Sequence, residues 1–178
     1  MKKPILVALC GAAFTALLAL TGCGANLDRD VDVQAMQLSV PSDWEQRTAE
    51  GNTETQGSVA FEKYTDDDDD PYTAIVISYK ALADDIPANA QEAIALKQQE
   101  MEAEGGVELW SIDEEKTEIV DGAQATTYEY SFEKEIDHVR KKYEYQTAYV
   151  FTENMLYQLS VYGSDASIGS VMESVELA

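Results

Sequence analysis

Five consecutive carboxylates, Asp66, Asp67, Asp68, Asp69 and Asp70 in YTDDDDDPYT, are the densest chemistry-bearing group in the chain. Adjacent carboxylates repel, and a hard cation such as Ca2+, which takes about six to eight oxygen ligands, would relieve them. Asp66, Asp68 and Asp70 are the side chains such a weak Ca2+ site would use. The EF-hand spacing is missing, because the sixth position is Pro71 where that loop needs Gly, and the twelfth is Ile77 where it needs Glu. The plainer reading is a solvated loop between two strands with no cofactor. His138, in EKEIDHVRKK, is the only histidine. A lone His makes no His-based metal site, and a Ser-His-acid triad would have to use it. Its charged neighbours favour a surface position, and Arg140-Lys141-Lys142 beside it is the densest basic patch on an acidic chain. With 34 acidic residues, carboxylate pairs arise anywhere, so they say little about glycosidase-like chemistry. No phosphate-cradling glycine loop is present.

The two cysteines, Cys10 and Cys23, raise nucleophile, metal-ligand and disulfide readings. Their surroundings decide between these. Met1-Lys2-Lys3 is a short basic start, and residues 4–20 are an apolar run rich in Leu and Ala, followed by small residues. This is the layout of a secretory signal. The run ends in Leu20-Thr21-Gly22-Cys23, which resembles the lipobox of bacterial lipoproteins. The resemblance implies cleavage before Cys23, a diacylglyceryl group on its thiol and an acyl chain such as palmitate on the new amine. It also implies a protein lipid-anchored at the extracytoplasmic face of the cell membrane. A mature chain beginning at Cys23 has no second cysteine and so no internal disulfide, although its compartment is oxidising. The expected division is a signal peptide at 1–22, a lipidated end and short tether at 23–33, and one domain at 34–178.

Charge excludes one large class of function. The chain has 34 acidic and 12 basic residues, and losing Lys2 and Lys3 with the signal leaves 10 bases and a formal charge of −24. Nucleic-acid binding needs the opposite balance. Anionic headgroups repel such a domain over about 8–10 Å, which would hold it off the membrane its anchor enters. A tether at residues 24–33 has a coil span of roughly 17 Å and an extended limit near 35 Å, so the domain works close to that surface. Basic or cation-bearing surfaces of an envelope protein are the partners this charge suits.

The elements that would position these residues are mostly strands. Met36, Leu38 and Val40 alternate with polar neighbours and run into Pro41-Ser42-Asp43-Trp44, a turn. Two further strands are expected at 58–64 and 72–80, the latter with Ile75, Ile77 and Tyr79 on one face and Ala74 and Val76 on the other. Asn89 with Glu92 resembles a capping box, Ala90, Ala93, Ile94 and Met101 share a stripe, and Gly105-Gly106 ends the run. An amphipathic helix over 89–104 follows. Strands return at 107–112, 117–120, 123–133, 140–152 and 155–162, with Asp121-Gly122 and Glu153-Asn154 as hairpin turns. Asn154 is suited to a left-handed conformation in the second turn. Ile168, Val171, Met172 and Val175 have helical spacing, while Gly169 leaves a strand-like ending open.

A two-residue turn at Glu153-Asn154 sets a register. Phe151 faces Leu156, Tyr149 faces Gln158, Thr147 faces Ser160 and Tyr145 faces Tyr162 on one side; Val150, Ala148 and Gln146 pair with Tyr157, Leu159 and Val161 on the other, which is the drier set. Tyrosines interleaved with Gln, Thr and Ser suit either a helix-covered layer or an open groove. Tyr145, Tyr149, Gln158 and Tyr162 are the candidate binding residues, and that candidacy needs a cleft beside whatever covers them.

The order LSVPSDW, VAFEKY and YTAIVISY, a helix, TEIVDGAQATTYEYSF and YVFTENMLYQLSVYG resembles the Mog1/PsbP-like fold over residues 32–178. Small bacterial lipoproteins of that fold carry the same vPxxW start and vdGxxa centre. The resemblance implies an α+β architecture, an antiparallel sheet sandwiched between α-helices, and a binding or assembly role with no shared catalytic set. The expected protein is therefore a membrane-anchored, non-catalytic module. A small-ligand or divalent-cation carrier, and an envelope hydrolase using carboxylates, are the alternatives.

Overall fold

The computed structural model describes residues 25–64, 73–83, 86–104, 107–136, 138–163 and 165–178. Cys23 and the aspartates at 66–70 lie outside them. In chain order the elements are β1 (Leu27–Val33), β2 (Met36–Pro41), β3 (Glu45–Thr48), β4 (Gln56–Lys63), β5 (Thr73–Ala81), α1 (Ala90–Glu104), β6 (Val107–Val120), β7 (Ala123–Ile136), β8 (Val139–Phe151), β9 (Met155–Tyr162), α2 (Ile168–Met172) and β10 (Glu176–Leu177). Seven strands form an antiparallel sheet in the order β3-β4-β5-β9-β8-β7-β6, and three more form a small sheet, β1-β2-β10.

The expected sheet between helices is corrected by this arrangement. One face of the large sheet carries α1. The other is covered by the small sheet together with α2, which is five residues long. The physical reason lies in the tail. Ser167 caps α2 by accepting from the Ser170 N–H at 3.2 Å, and Ile168, Val171 and Met172 are buried. The chain then turns at Glu173-Ser174 and Glu176-Leu177 pair with β2, so the helical stripe lasts little more than one turn. The stretch read as a tether is likewise a strand. In LDRDVDV the residues Leu27, Arg29, Val31 and Val33 turn inward and Asp28, Asp30 and Asp32 outward, the period-two pattern of a half-buried strand. Arg29 lies over the Phe61 ring, 5.4 Å from its centroid.

Local chemistry explains the other boundaries. Asn89 caps α1, its Oδ1 accepting from the Glu92 N–H at 2.9 Å, while Glu92 Oε2 accepts from the Ala88 N–H at 3.0 Å. Asp121 and Gly122 take φ of 47° and 87°, a type I′ hairpin. In the β8–β9 turn Asn154 is not left-handed. There the Thr152 N–H donates to the Met155 carbonyl at 3.0 Å, and Thr152 Oγ1 accepts from the Met155 N–H at 3.0 Å. The segments at 107–112 and 117–120 are one strand, β6, with bulges between Glu108 and Ser111 and between Ile112 and Glu114.

Two apolar layers result. Between the sheets lie Met36, Leu38 and Val40 of β2, Phe61, Ile75 and Ile77, Ala148 and Val150, and Tyr157, Leu159 and Val161, closed by α2. Beneath α1 lie Ala90, Ala93 and Ile94 against Tyr128, Tyr130, Phe132 and Tyr149. Among the described residues no helix is long and apolar enough to cross a membrane.

Candidate functional site

A polar row crosses six strands on the α1 face. Ser58 of β4 pairs with Ser78 of β5, Ser78 with Gln158 of β9, Gln158 with Tyr149 of β8, Tyr149 with Thr126 of β7 and Thr126 with Thr117 of β6. Such a row is built from strands whose opposite face is core, so every second residue is free to be polar. In β5 the alternation is plain, with Ile77 and Tyr79 buried and Ser78 on the other side. The Ser78 hydroxyl lies 3.3 Å from Ser58 Oγ, Gln158 Nε2 lies 3.3 Å from Ser160 Oγ, and Ser160 meets Thr147 at 3.1 Å.

α1 packs on the β6–β7–β8 half of this face and leaves the β4–β5–β9 half open. The result is a cleft of about 470 Å3. Its floor is Ser58, Ser78 and Gln158, one wall is Ala93, Leu96, Lys97 and Glu100 of α1, and the other is residues 49–52. Leu156, Ile86 and Pro87 make its apolar part, and Lys80 and Gln56 lie at its rim. The wall at 49–52 is fixed by backbone mimicry: the Asn52 side chain both accepts from the Ser58 N–H and donates to the Ser58 carbonyl, each at 2.9 Å. Gly57 is required there, because a Cβ on it would sit 2.6 Å from both Asn52 Cγ and Tyr79 Cζ.

Tyr149 stands where covered layer meets open cleft. Only 2% of it is exposed, yet it lines the cavity, paired across the β8–β9 ladder with Gln158 of the floor. Burial, and then the nearby Tyr130, Glu100 and Tyr128, push its pKa well above the ordinary phenol value. The group stays protonated at neutral pH and keeps its capacity to donate a hydrogen bond. Such a cleft can take a small molecule of mixed polar and apolar character, gripped by hydroxyl, amide and ammonium donors against a Leu and Pro wall.

The four residues expected to bind do not meet in one place. Tyr149 and Gln158 share this cleft, while Tyr145 and Tyr162 line a second of about 270 Å3 with Tyr130, Asp113, Glu129 and Glu144. Tyr145 stacks on two aromatic neighbours of β7, Tyr130 at 5.7 Å and Phe132 at 5.6 Å. The carboxylates of the second cleft are held by protein donors. Asp113 accepts from Ser111 and Ser131 hydroxyls at 3.0 and 2.9 Å, Glu129 from Gln146 at 2.9 Å, and Glu144 from Lys142 at 2.7 Å. Gln146 also accepts from the Ile168 N–H at 2.8 Å, joining the sheet to α2.

Other sequence candidates disperse. The His138 side chain is 99% exposed in the β7–β8 turn, 3.5 Å from Glu135, far from triad geometry. Arg140 pairs with Glu108 at 2.9 Å and Glu133 at 3.6 Å, so the basic patch is balanced locally. No cluster of three or more His, Cys, Asp or Glu among the described residues is arranged to hold a metal. Sequence reasoning missed Ser58, Ser78, Leu96 and Lys97. The available signal was a lone serine at an outward position of each apolar strand.

No family model and no curated protein matches this chain. Solved structures do. Cyanobacterial PsbP (CyanoP) from Synechocystis sp. PCC 6803 aligns with a TM-score of 0.60 at 12% identity, over 89% of this chain and 99% of that one. A Pseudomonas aeruginosa protein of unknown function aligns at 0.40 with 14% identity, over 82% and 86%. A Bacteroides thetaiotaomicron protein aligns at 0.43 with 14% identity, over 81% and 45%. The first alignment, together with the strand order, defines the chain as a PsbP-like domain in fold.

Proposed function

We propose that the protein is a lipid-anchored, extracytoplasmic binding module whose ligand seat is the cleft beside α1. The observation that carries the reading is the open cleft of about 470 Å3 itself, where Tyr149 stands beside a floor of Ser58, Ser78 and Gln158. The lipobox at Leu20 to Cys23 supports the anchor, and the PsbP-like fold is consistent with a role that needs no catalysis. With β1 starting at Leu27, a lipid on Cys23 would hold the domain within a few residues of the bilayer. A hydrolase reading would draw on Asp113, Glu129 and Glu144, each of which already accepts a hydrogen bond from a protein donor.

The test uses intact cells. A photoreactive residue in place of Ser78, on the cleft floor, is compared with one in place of Ser170, exposed on α2. The expected result is a discrete adduct from position 78 alone, together with release of the protein from the membrane fraction by Cys23→Ala. Equal or absent adducts at both positions would sink the cleft reading. Retention of the Cys23→Ala protein in the membrane would sink the anchor.

A further inference from the structure

We propose that the outer edge of β6 pairs with a basic, extended segment of another protein, a site separate from the cleft and independent of the reading above. Among the described residues β6 is the terminal strand of the large sheet and pairs only with β7. The opposite terminal strand, β3, has four residues; β6 has 14. After the two bulges, Glu114 to Val120 pair one for one with Glu129 to Ala123, which leaves a straight free edge. On an antiparallel strand alternate residues turn both N–H and C=O outward, so this half offers a template for a further strand.

The usual guards are thin there. Exposed edges are blunted by shortness, proline, bulges or lysine. The straight half contains no proline and one lysine, Lys116, whose charge is already taken by Glu118 at 2.9 Å. Large apolar side chains stand in solvent along the same strand: Ile119 is 68% exposed, Leu109 67% and Ile112 45%. Leu109 has φ of 52°, a left-handed conformation unfavourable for a side chain of its kind, and the bulge there turns it outward. Strain that presents an apolar group to water is what a docking surface retains.

Charge selects the occupant. β6 carries Glu108, Asp113, Glu114, Glu115 and Glu118 against Lys116; Glu108 is met by Arg140, Glu118 by Lys116 and Asp113 by two serine hydroxyls, so among the described residues the uncompensated charge lies at Glu114 and Glu115. A second copy would set two such strands side by side, where like charges directly opposite are destabilising. An extended partner with lysine or arginine alternating with apolar residues meets the carboxylates and covers Ile119 at once.

The probe is a fluorescent peptide of alternating lysine and valine, and its control has the same charge with proline at every third position, which cannot form a strand. Binding is read by anisotropy and mapped by amide chemical shifts. The alternating peptide is expected to bind at least about tenfold more tightly than the control. Its shifts should concentrate at residues 114–120, and Ile119→Lys or Glu114→Lys should weaken it about tenfold with the melting temperature unchanged. Equal affinity for both peptides would mean diffuse attraction and would overturn the proposal. So would shifts centred on β3 or the cleft, an absence of binding, or a free protein already dimeric through β6.

Discussion

Replacing Gly57 by alanine should cost stability well beyond its one added methyl. The new Cβ would lie 2.6 Å from Asn52 Cγ and Tyr79 Cζ, with Tyr79 Oη nearer still. Neither neighbour moves freely. Tyr79 Oη donates to the Thr53 carbonyl at 2.9 Å, and Asn52 holds both backbone groups of Ser58. Overpacking costs about 1–3 kcal/mol. Losing one or two of these hydrogen bonds adds about 1 kcal/mol each, and alanine's advantage over glycine in a strand returns about 0.5–1 kcal/mol. The expected net loss is about 2–3 kcal/mol, a fall in melting temperature of about 4–12 °C. Equilibrium urea unfolding measures it. Gly57→Ala combined with Tyr79→Phe removes the nearest clashing atom, so the pair should show a favourable coupling of about 1 kcal/mol. A single-mutant cost under about 0.5 kcal/mol, or strict additivity in the double mutant, would refute the reasoning.

Three further outcomes follow from the same contacts. Asn89→Ala removes one half of the reciprocal cap and should destabilise α1 by about 1 kcal/mol, seen as faster hydrogen exchange at residues 92–94 and a lower urea midpoint. Tyr157→Phe takes away the hydroxyl that accepts from the Ala35 N–H at 3.2 Å, leaving that donor unpaired between β1 and β2, and should cost about 1–2 kcal/mol in the same assay. At alkaline pH, burial first and then Glu115 push Tyr128 up to about 12 from an ordinary 10.0, and Tyr149 is raised further. A raised folded pKa means the native state holds more protons than the unfolded one. This contribution is therefore intact below pH 10 and is lost as pH climbs through 12. Tyr149→Phe should flatten that decline, and ultraviolet titration of phenolate should show a late-ionising fraction that the variant reduces.

Much of this fold was legible because its causes are local. Asn89 with Glu92, Asp121-Gly122 and the alternation of AIVISY each act within a few residues. The β8–β9 register followed from a two-residue turn, and pairs such as Tyr149 with Gln158 stand as that turn requires. β3, with four exposed polar residues, carries no such signal. β1 carried one, its strict alternation, masked by aspartates that strands usually avoid and by its nearness to the cysteine.

The sequence by itself determined the acidic charge, the strand-rich character, the helix over 90–104 and the pairing of its hairpins, because each depends on composition or on neighbours along the chain. Only tertiary structure decided which layers cover the large sheet, and that Tyr149 and Gln158 share a cleft with Ser78 while Tyr145 and Tyr162 do not. The reason is the β5–β9 pairing, which joins Ser78 to Gln158 across α1 and three intervening strands. No turn sets that register. It is fixed by the burial of Ile75 and Ile77 against Val161 and Leu159, a balance of the whole core that no local stretch of sequence contains.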